Sequence, residues 1–541
     1  MPAAAIAPAI RRAPRWVVWA FFGGLLVLGR VLVTDYGVSW DEPVDHRNGL
    51  VSLRYVAGLV APEWAARQPL LREVPLLQGY PDNDHGVLFE LPLALYDVLR
   101  SGTEPREYYM ARHFCTFLVC LGGVWALYRL ARRRFRNEYA ALLTAGLLVL
   151  SPRLFAESFY NAKDLVFLAA FTLSMLTLAR LLARPTAARA LLHGLATGLA
   201  IDIRILGSML VPLTLGLLLL EGWAPTAPGS RWGGVLRAGL LYLAGTVAVG
   251  IAGWPYLWEA PIHHFLAAFR SMGHFRWDEP VLYWGATVSA RNLPWHYIPV
   301  WLLLTTPVAY SGAALAGLLA VGARLLRQPL HLLRTYEGRL DILFGVWLLG
   351  PIVLVIGLHS VVYDGWRHLY FVYPALLLLA VGAGLELGQR RHASQRWRAM
   401  FWVVAVVAGL EALLTAGRMV RMHPNQQVYF SFLPAGQVAQ LFERDYWGLA
   451  YRQGLEYLVR RQPTGIINVD VSHVPPFENN RALLPAPDRA RLRFNPEAPN
   501  RYFLMGYRRF AGQLWPEMGE EVYVVKADGL PILSVCRVRP R

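Results

Sequence analysis

The sequence predicts an α-helical polytopic membrane protein of about 11 transmembrane helices, with a small α/β domain at its C-terminal end. Three observations predict it. The residues AVILMFWYC make up 55% of the 541-residue chain, charged residues only 16%, and mean hydropathy is +0.34, whereas soluble domains run near 25% charged. Apolar stretches recur at the length of roughly 20 residues needed to cross about 30 Å of hydrocarbon. Arginines gather between those stretches and always on one side. Disorder, a collagen-like repeat and a disulfide scaffold are excluded by the same composition. Cys115, Cys120 and Cys536 have no metal-ligand or bridge spacing and read as small apolar residues.

In chain order, the candidate spans are 16–34, 109–130, 138–154, 165–183, 188–203, 205–221, 235–255, 297–320, 341–359, 368–386 and 399–417. The fifth and sixth are short and separated by little more than Ile203-Arg204. Basic clusters follow a fixed alternation: Arg11, Arg12 and Arg15; Arg129, Arg132, Arg133, Arg134 and Arg136; Arg180, Arg184 and Arg189; Arg324, Arg327, Arg334 and Arg339; Arg390, Arg391, Arg396 and Arg398. In the eleven-span count all of them fall on one side, which the positive-inside rule assigns to the cytoplasm. The N-terminus is then cytoplasmic and the C-terminus periplasmic, in the inner (plasma) membrane of a bacterium. The net charge of +17 is topology-setting arginine rather than a nucleic-acid surface; lysine occurs only at 163 and 526. The first apolar run is long and is followed by no small-residue cleavage site, so it is expected to stay as a span rather than be removed as a signal peptide.

Residues 1–417 thus form a transmembrane domain with external loops at about 35–108 and 256–296, and 418–541 form the small periplasmic domain. In the latter a helical stretch around 436–461 precedes β-like runs at 466–469 and 502–504. A hairpin, 522–525 with 532–535, turns around Asp528-Gly529.

The external side carries the unusual residues. After the first span comes Asp35-Tyr36-Gly37-Val38-Ser39-Trp40-Asp41-Glu42-Pro43-Val44-Asp45-His46. Carboxylates this dense at a membrane boundary are costly unless solvated or used; a paired Asp-Glu offers one group to take a proton and another to orient it. A hydrated loop is the bland alternative. The second knot is Ser151-Pro152-Arg153 through Glu157, Tyr160, Asn161, Lys163 and Asp164, where a compact ammonium suits a phosphate oxygen or merely pairs with Asp164 to shape the turn. The third is Tyr363-Asp364-Gly365-Trp366-Arg367-His368 and the fourth Arg112-His113. Guanidinium forks there fit a lipid phosphate, or anchor the headgroup region. Acid at one end and cations at the other describe a transferase site. Trp277–Pro280 repeats Trp-Asp-Glu-Pro of Trp40–Pro43, without flanking similarity. His46, His85, His263, His264 and His274 lack a zinc-type pairing, so no tightly bound metal is expected. A weak divalent-cation site among Asp41, Asp82, Asp84 and His85 stays open. Walker A, GxGxxG and GxSxG patterns are missing from suitable contexts, which removes support for nucleotide-driven transport and serine hydrolysis.

Several stretches together resemble a known group: Ser39-Trp40-Asp41-Glu42-Pro43, Asn161-Ala162-Lys163-Asp164, Leu293-Pro294-Trp295-His296-Tyr297, Tyr363 through His368, His423-Pro424-Asn425-Gln426-Gln427-Val428-Tyr429-Phe430, and Asp445-Tyr446-Trp447-Gly448. The sequence is similar to the GT-C superfamily of integral membrane glycosyltransferases. Within it, the chain resembles family 39, the protein O-mannosyltransferases, and the related bacterial aminoarabinose and galacturonic acid transferases. The resemblance implies a polyprenyl-phosphate sugar as donor and a hydroxyl acceptor. It implies Asp41 as catalytic base with Glu42 beside it, and a lipid-phosphate site of Arg112, Lys163, Asp164, Arg367 and His368. His85, Trp295, His423 and Tyr429 become candidates on the acceptor or loop side. The chain departs from the mannosyltransferases at Pro43 and Asp45-His46, and its α/β tail is unlike their β-trefoil-type insertion, which bears on the acceptor. Two other readings remain at this stage: a transporter or lipid flippase, expected to carry ionisable or broken spans near the midplane, with Asp202-Arg204 as its candidate; and a non-catalytic assembly subunit.

Overall fold

The computed structural model describes residues 11–100, 104–226, 232–273, 277, 279–509 and 518–538. Helix α1 (Arg15–Leu32) leads into an external segment built from α2 (Glu42–Val60) and α3 (Glu90–Leu99). The bundle continues with α4 (Pro105–Phe135), α5 (Glu138–Val149), α6 (Pro152–Tyr160), α7 (Asp164–Ala183), α8 (Ala187–Ile203), α9 (Leu210–Trp223), α10 (Trp232–Ala252), α11 (Tyr297–Thr305), α12 (Val308–Arg327), α13 (Tyr336–Gly357), α14 (Tyr373–Arg390) and α15 (Gln395–Met422). By length and hydropathy, nine helices among the described residues are long and apolar enough to cross a membrane, or up to ten if α5 and α6, bent by 71°, form one span. The remaining expected span is α8, whose 17 residues extend about 26 Å at 1.5 Å per residue.

Contacts at its C-terminal end tie α8 to the rest of the bundle. There Asp202 accepts a hydrogen bond from the Leu88 backbone N–H at 2.8 Å, and Arg204 lies 2.7 Å from Asp164 at the start of α7. At the far end of α9, Glu221 pairs with Arg339 at the start of α13. The same basic end holds a bidentate Arg134–Asp341 pair at 2.6 and 2.7 Å.

Packing sorts the helices by depth. In α7, 89% of the apolar window is buried, against 6% for α15, so α7 is the axis of the bundle and α15 its edge. Helices α8 and α10 meet closely because Gly194 and Gly198, four apart on one face, admit the partner backbone; a Cβ on Gly198 would sit 2.7 Å from the Thr246 carbonyl oxygen. Small residues at this spacing let helices approach where no hydrophobic effect drives them together.

Helix α15 runs to Met422, past residue 417. Beyond it the expected continuous helix at 436–461 is two helices, Ala435–Leu441 and α16 (Ala450–Arg461), because 442–449 turns inward to the site. The sheet then comprises β3 (Ile467–Val471), β4 (Leu492–Phe494), β5 (Arg501–Gly506), β6 (Glu520–Ala527) and β7 (Leu530–Val538), in the order β4-β3-β5-β7-β6. The β6–β7 hairpin turns at Asp528 (φ 51°) and Gly529 (φ 81°), the double left-handed turn that Asp-Gly favours. Strand β4 and a separate hairpin, β1 (Pro280–Tyr283) with β2 (Ala286–Ser289), had no clear signal in the sequence.

Candidate functional site

The site grows from the start of α2. Ser39-Trp40-Asp41-Glu42 has the spacing of a capping box, and Glu42 turns back so that its Oε2 accepts hydrogen bonds from the Ser39 backbone N–H (2.7 Å) and hydroxyl (3.1 Å). Asp41 is the N-cap residue, yet its side chain caps nothing. Its carboxylate is left to face Arg367, whose Nη1 donates to Asp41 Oδ2 at 3.1 Å.

Arg367 is the hub of one half of the site. Its Nη1 also donates to Asp164 Oδ2 at 3.1 Å, and its Nη2 lies 3.2 Å from Asp364 Oδ2. The guanidinium sits between the rings of Tyr363 (4.9 Å) and Trp447 (4.7 Å). Asp364 adopts a left-handed backbone (φ 57°), followed by Gly365 at φ 71°, so the chain turns sharply enough for Asp364 to reach both Arg367 and Arg508. Arg508, from the segment after β5, donates to Asp364 Oδ1 at 2.7 Å. It also lies over the rings of Trp40 (5.0 Å) and Trp277 (5.4 Å), so the two tryptophans of the repeated Trp-Asp-Glu-Pro flank one arginine. Asp278 and His274 lie outside the described residues.

The other half is organised by Arg112. Its Nη1 and Nη2 donate to the two oxygens of Glu90 at 2.5 and 3.0 Å; Glu42 and Asp45 follow at 3.6 and 3.8 Å. His113 Nε2 is 2.9 Å from Glu42 Oε1. Asp45 joins the halves, because Lys163 Nζ donates to its Oδ1 at 3.1 Å and Lys163 immediately precedes Asp164. Burial pushes the Asp45 carboxyl up to about 6, against the opposing pull of Lys163 and with Glu90 raising it further. Asp164 is held by its own turn: Asn161 Oδ1 accepts from its backbone N–H at 2.9 Å and Asn161 Nδ2 donates to its carboxylate at 3.1 Å.

Exposure separates the roles within this network. The Asp41 side chain is 36% exposed and Lys163 is 21% exposed, whereas Arg112 and Arg367 stand at 0% and 2%. The resemblance leads one to expect Arg112 and Arg367 at a lipid phosphate. In the structure each of them meets three carboxylates, as a buried guanidinium must be paired. His368 stacks edge-on against Tyr363 at 4.7 Å.

The other candidates scatter. His85 lies 3.1 Å from Asp84. Trp295 is exposed and packs edge-on against His296. His423 pairs with Asp35 at 2.8 Å. Tyr429 is buried under Arg418, and its carbonyl accepts from Arg153. The motif Asp445-Tyr446-Trp447-Gly448 supports the floor: the Tyr446 hydroxyl donates to Glu157 at 3.1 Å, as does Tyr370 at 2.8 Å. The described residues include no group of three or more His, Cys, Asp or Glu side chains that could hold a metal ion. The weak divalent site left open at Asp41, Asp82, Asp84 and His85 therefore finds no support. The transporter candidate Asp202-Arg204 lies at the site end of α8 rather than in mid-span. Sequence reasoning gave Glu90 and Arg508 no role, set Arg204 only in the transporter reading, and counted Asp45 only as one of the loop carboxylates.

The fold is the GT-C type, the class of integral-membrane glycosyltransferases. It is shared with ArnT from Cupriavidus metallidurans: the apo structure superposes at a TM-score of 0.52 with 15% identity, covering 96% of this chain and 98% of that one. The structure of the same protein bound to undecaprenyl phosphate gives 0.50 and 14%, over 97% and 98%. Residues 109–251 match the family model described as dolichyl-phosphate-mannose-protein mannosyltransferase, a stretch running from α4 into α10 and carrying Arg112, Lys163, Asp164 and Arg204. The apo oligosaccharyltransferase of Archaeoglobus fulgidus aligns at 12% identity and a TM-score of 0.47 over 88% of this chain; this chain spans only 65% of that protein's length. No curated protein matches the sequence.

Proposed function

We propose that the protein transfers a sugar from a polyprenyl-phosphate donor to a hydroxyl acceptor. In this mechanism Asp41 is the base, and the reaction runs at the periplasmic face of a bacterial inner membrane. The observation that carries the reading is that one accessible carboxylate, Asp41, and one partly accessible ammonium, Lys163, each join the network of buried charges, through Arg367 and Asp45 respectively. The match of residues 109–251 and the undecaprenyl phosphate held by ArnT support the donor class.

The acceptor hydroxyl gives its proton to Asp41 as its oxygen attacks the anomeric carbon. The bond from that carbon to the phosphate oxygen breaks on the opposite face, so the configuration inverts, and the electron pair leaves with the polyprenyl phosphate. Lys163, with Arg204 behind it, meets the charge developing on that phosphate; preorganised cations of this kind commonly lower a barrier by about 3–4 kcal/mol. Arg367 and Arg112 position the acidic groups and do not touch substrate.

The test separates donor binding from turnover. Undecaprenyl phosphate binding to the purified, reconstituted protein is measured by native mass spectrometry for wild type and Lys163→Ala. The variant is expected to bind at least tenfold more weakly, with Lys163→Arg recovering part of the loss. Equal binding by wild type and Lys163→Ala overturns the phosphate site.

A further inference from the structure

At the basic end of the bundle, opposite the candidate site, a cavity of about 250 Å³ opens between α4, α7 and α13. Its walls carry Arg129, Arg132, Arg133, Arg136 and Arg180. Arginines that only set topology are expected to radiate into water, as the exposed Arg327, Arg334, Arg396 and Arg398 do on the same end. These five do the reverse. All are half-buried, and they come from two helices and the turn at Arg136, where a left-handed backbone (φ 52°) ends α4.

Arg132 pairs with Glu138 at 2.7 Å, and an exposed Glu337 stands at the rim. Arg129 lies over the Trp125 ring at 5.6 Å, and Tyr336, which also lines the cavity, donates its hydroxyl to the Ala179 carbonyl at 2.8 Å. No carboxylate lies within salt-bridge distance of Arg129, Arg133 or Arg180 among the described residues. The contrast with the site end is chemical: there Arg112, Arg204, Arg367 and Arg508 each meet carboxylates, whereas here Arg129, Arg133 and Arg180 face an open volume. Like charges held around a small cavity repel, and an oxyanion with several acceptor oxygens relieves that repulsion while using their forked donors.

We infer that this cavity is a binding site for a phosphate group, a second anion site remote from the catalytic end and independent of the reaction proposed there. The volume is below the roughly 300–1,000 Å³ of pockets that take drug-sized ligands; it suits a phosphate rather than a nucleotide. Phosphodiester headgroups of anionic lipids are one source, because basic pockets between helices on the cytoplasmic side bind such headgroups. Free inorganic phosphate is the other.

The full-length protein is reconstituted into nanodiscs of phosphatidylcholine alone, of phosphatidylcholine with phosphatidylglycerol, or of phosphatidylcholine with millimolar inorganic phosphate. Thermal midpoint and retained lipid adducts are read for wild type, Arg129→Gln/Arg180→Gln, and the control Arg327→Gln/Arg334→Gln. The wild type and the control should be stabilised by the anion and keep its adduct. The Arg129→Gln/Arg180→Gln variant should bind it roughly 30-fold more weakly, at about a factor of five per arginine. Stabilisation by phosphatidylglycerol alone identifies a headgroup; stabilisation by inorganic phosphate in the zwitterionic disc identifies the free ion. Should the glutamine variant fail to fold, Arg129→Lys/Arg180→Lys keeps the charge and should fold with a weakened response. Equal stabilisation of wild type and the folded cavity variants, or none of the wild type in either anion, overturns the inference.

Discussion

Replacing Asp41 by Asn isolates the proton-accepting step. The amide keeps the size of the side chain and an oxygen that can still accept from Arg367 Nη1, now at 3.1 Å. Arg367 retains Asp164 and Asp364 as partners, so no buried charge is stranded. With the Asp41 side chain 36% exposed, the lost ion pair is of the solvent-facing kind worth about 0–1 kcal/mol. Stability should therefore change little. Turnover is a different matter: a positioned general base is worth about 10²–10⁴-fold, which corresponds to about 3–5 kcal/mol of barrier. Donor binding should persist, because Lys163 is untouched. The assay follows release of polyprenyl phosphate from sugar-charged donor in source-cell membranes that supply the acceptor, with thermal midpoint and undecaprenyl phosphate binding measured on the same preparations. Asp278→Asn, in the repeated Trp-Asp-Glu-Pro, serves as control and should do much less. Turnover of Asp41→Asn within threefold of wild type, with an unchanged midpoint, refutes Asp41 as the base; a larger loss from Asp278→Asn would move the base to the second external loop.

Other consequences follow from the buried network. Arg367→Ala leaves two buried carboxylates short of a partner, which costs about 3–5 kcal/mol for an isolated pair; Arg204 and Arg508 limit the damage, so a lowered midpoint with weakened turnover is expected, and Arg367→Lys should restore the midpoint more than the turnover. Glu443 is buried in the segment after α15, and burial, reinforced by Asp364, pushes its carboxyl up to about 8. Its folded pKa is thus above the unfolded value, so its contribution to stability is complete below about 4.5 and is lost as pH rises through about 8. Glu443→Gln should flatten the decline of thermal midpoint between pH 5 and 8; an unchanged slope would show that Glu443 does not titrate there. Reporter fusions at about residues 136 and 395 should score cytoplasmic, and those at about 75 and after 420 periplasmic, with a cytoplasmic C-terminus pointing to a miscounted span at 188–221.

Read one residue after another, the chain already shows its apolar helices and the basic end of the bundle, because hydropathy and charge are local properties that a bilayer reads window by window. The same local reading singled out Asp41, Lys163 and Arg367, each a charge at a span boundary where an unused ion is costly. What only the tertiary structure decided is which of those charges is open and which is sealed. Arg112 and Lys163 look alike as cations beside spans. Yet Arg112 is enclosed by Glu90, Glu42 and Asp45, while Lys163 meets a single carboxylate and reaches the surface. Arg508 enters the site from 144 residues beyond Asp364, a separation at which no pattern in the sequence signals contact. Pairing of buried charges is settled by the three-dimensional packing that brings them out of water, and their desolvation, which fixes the roles, exists only once the chain has folded.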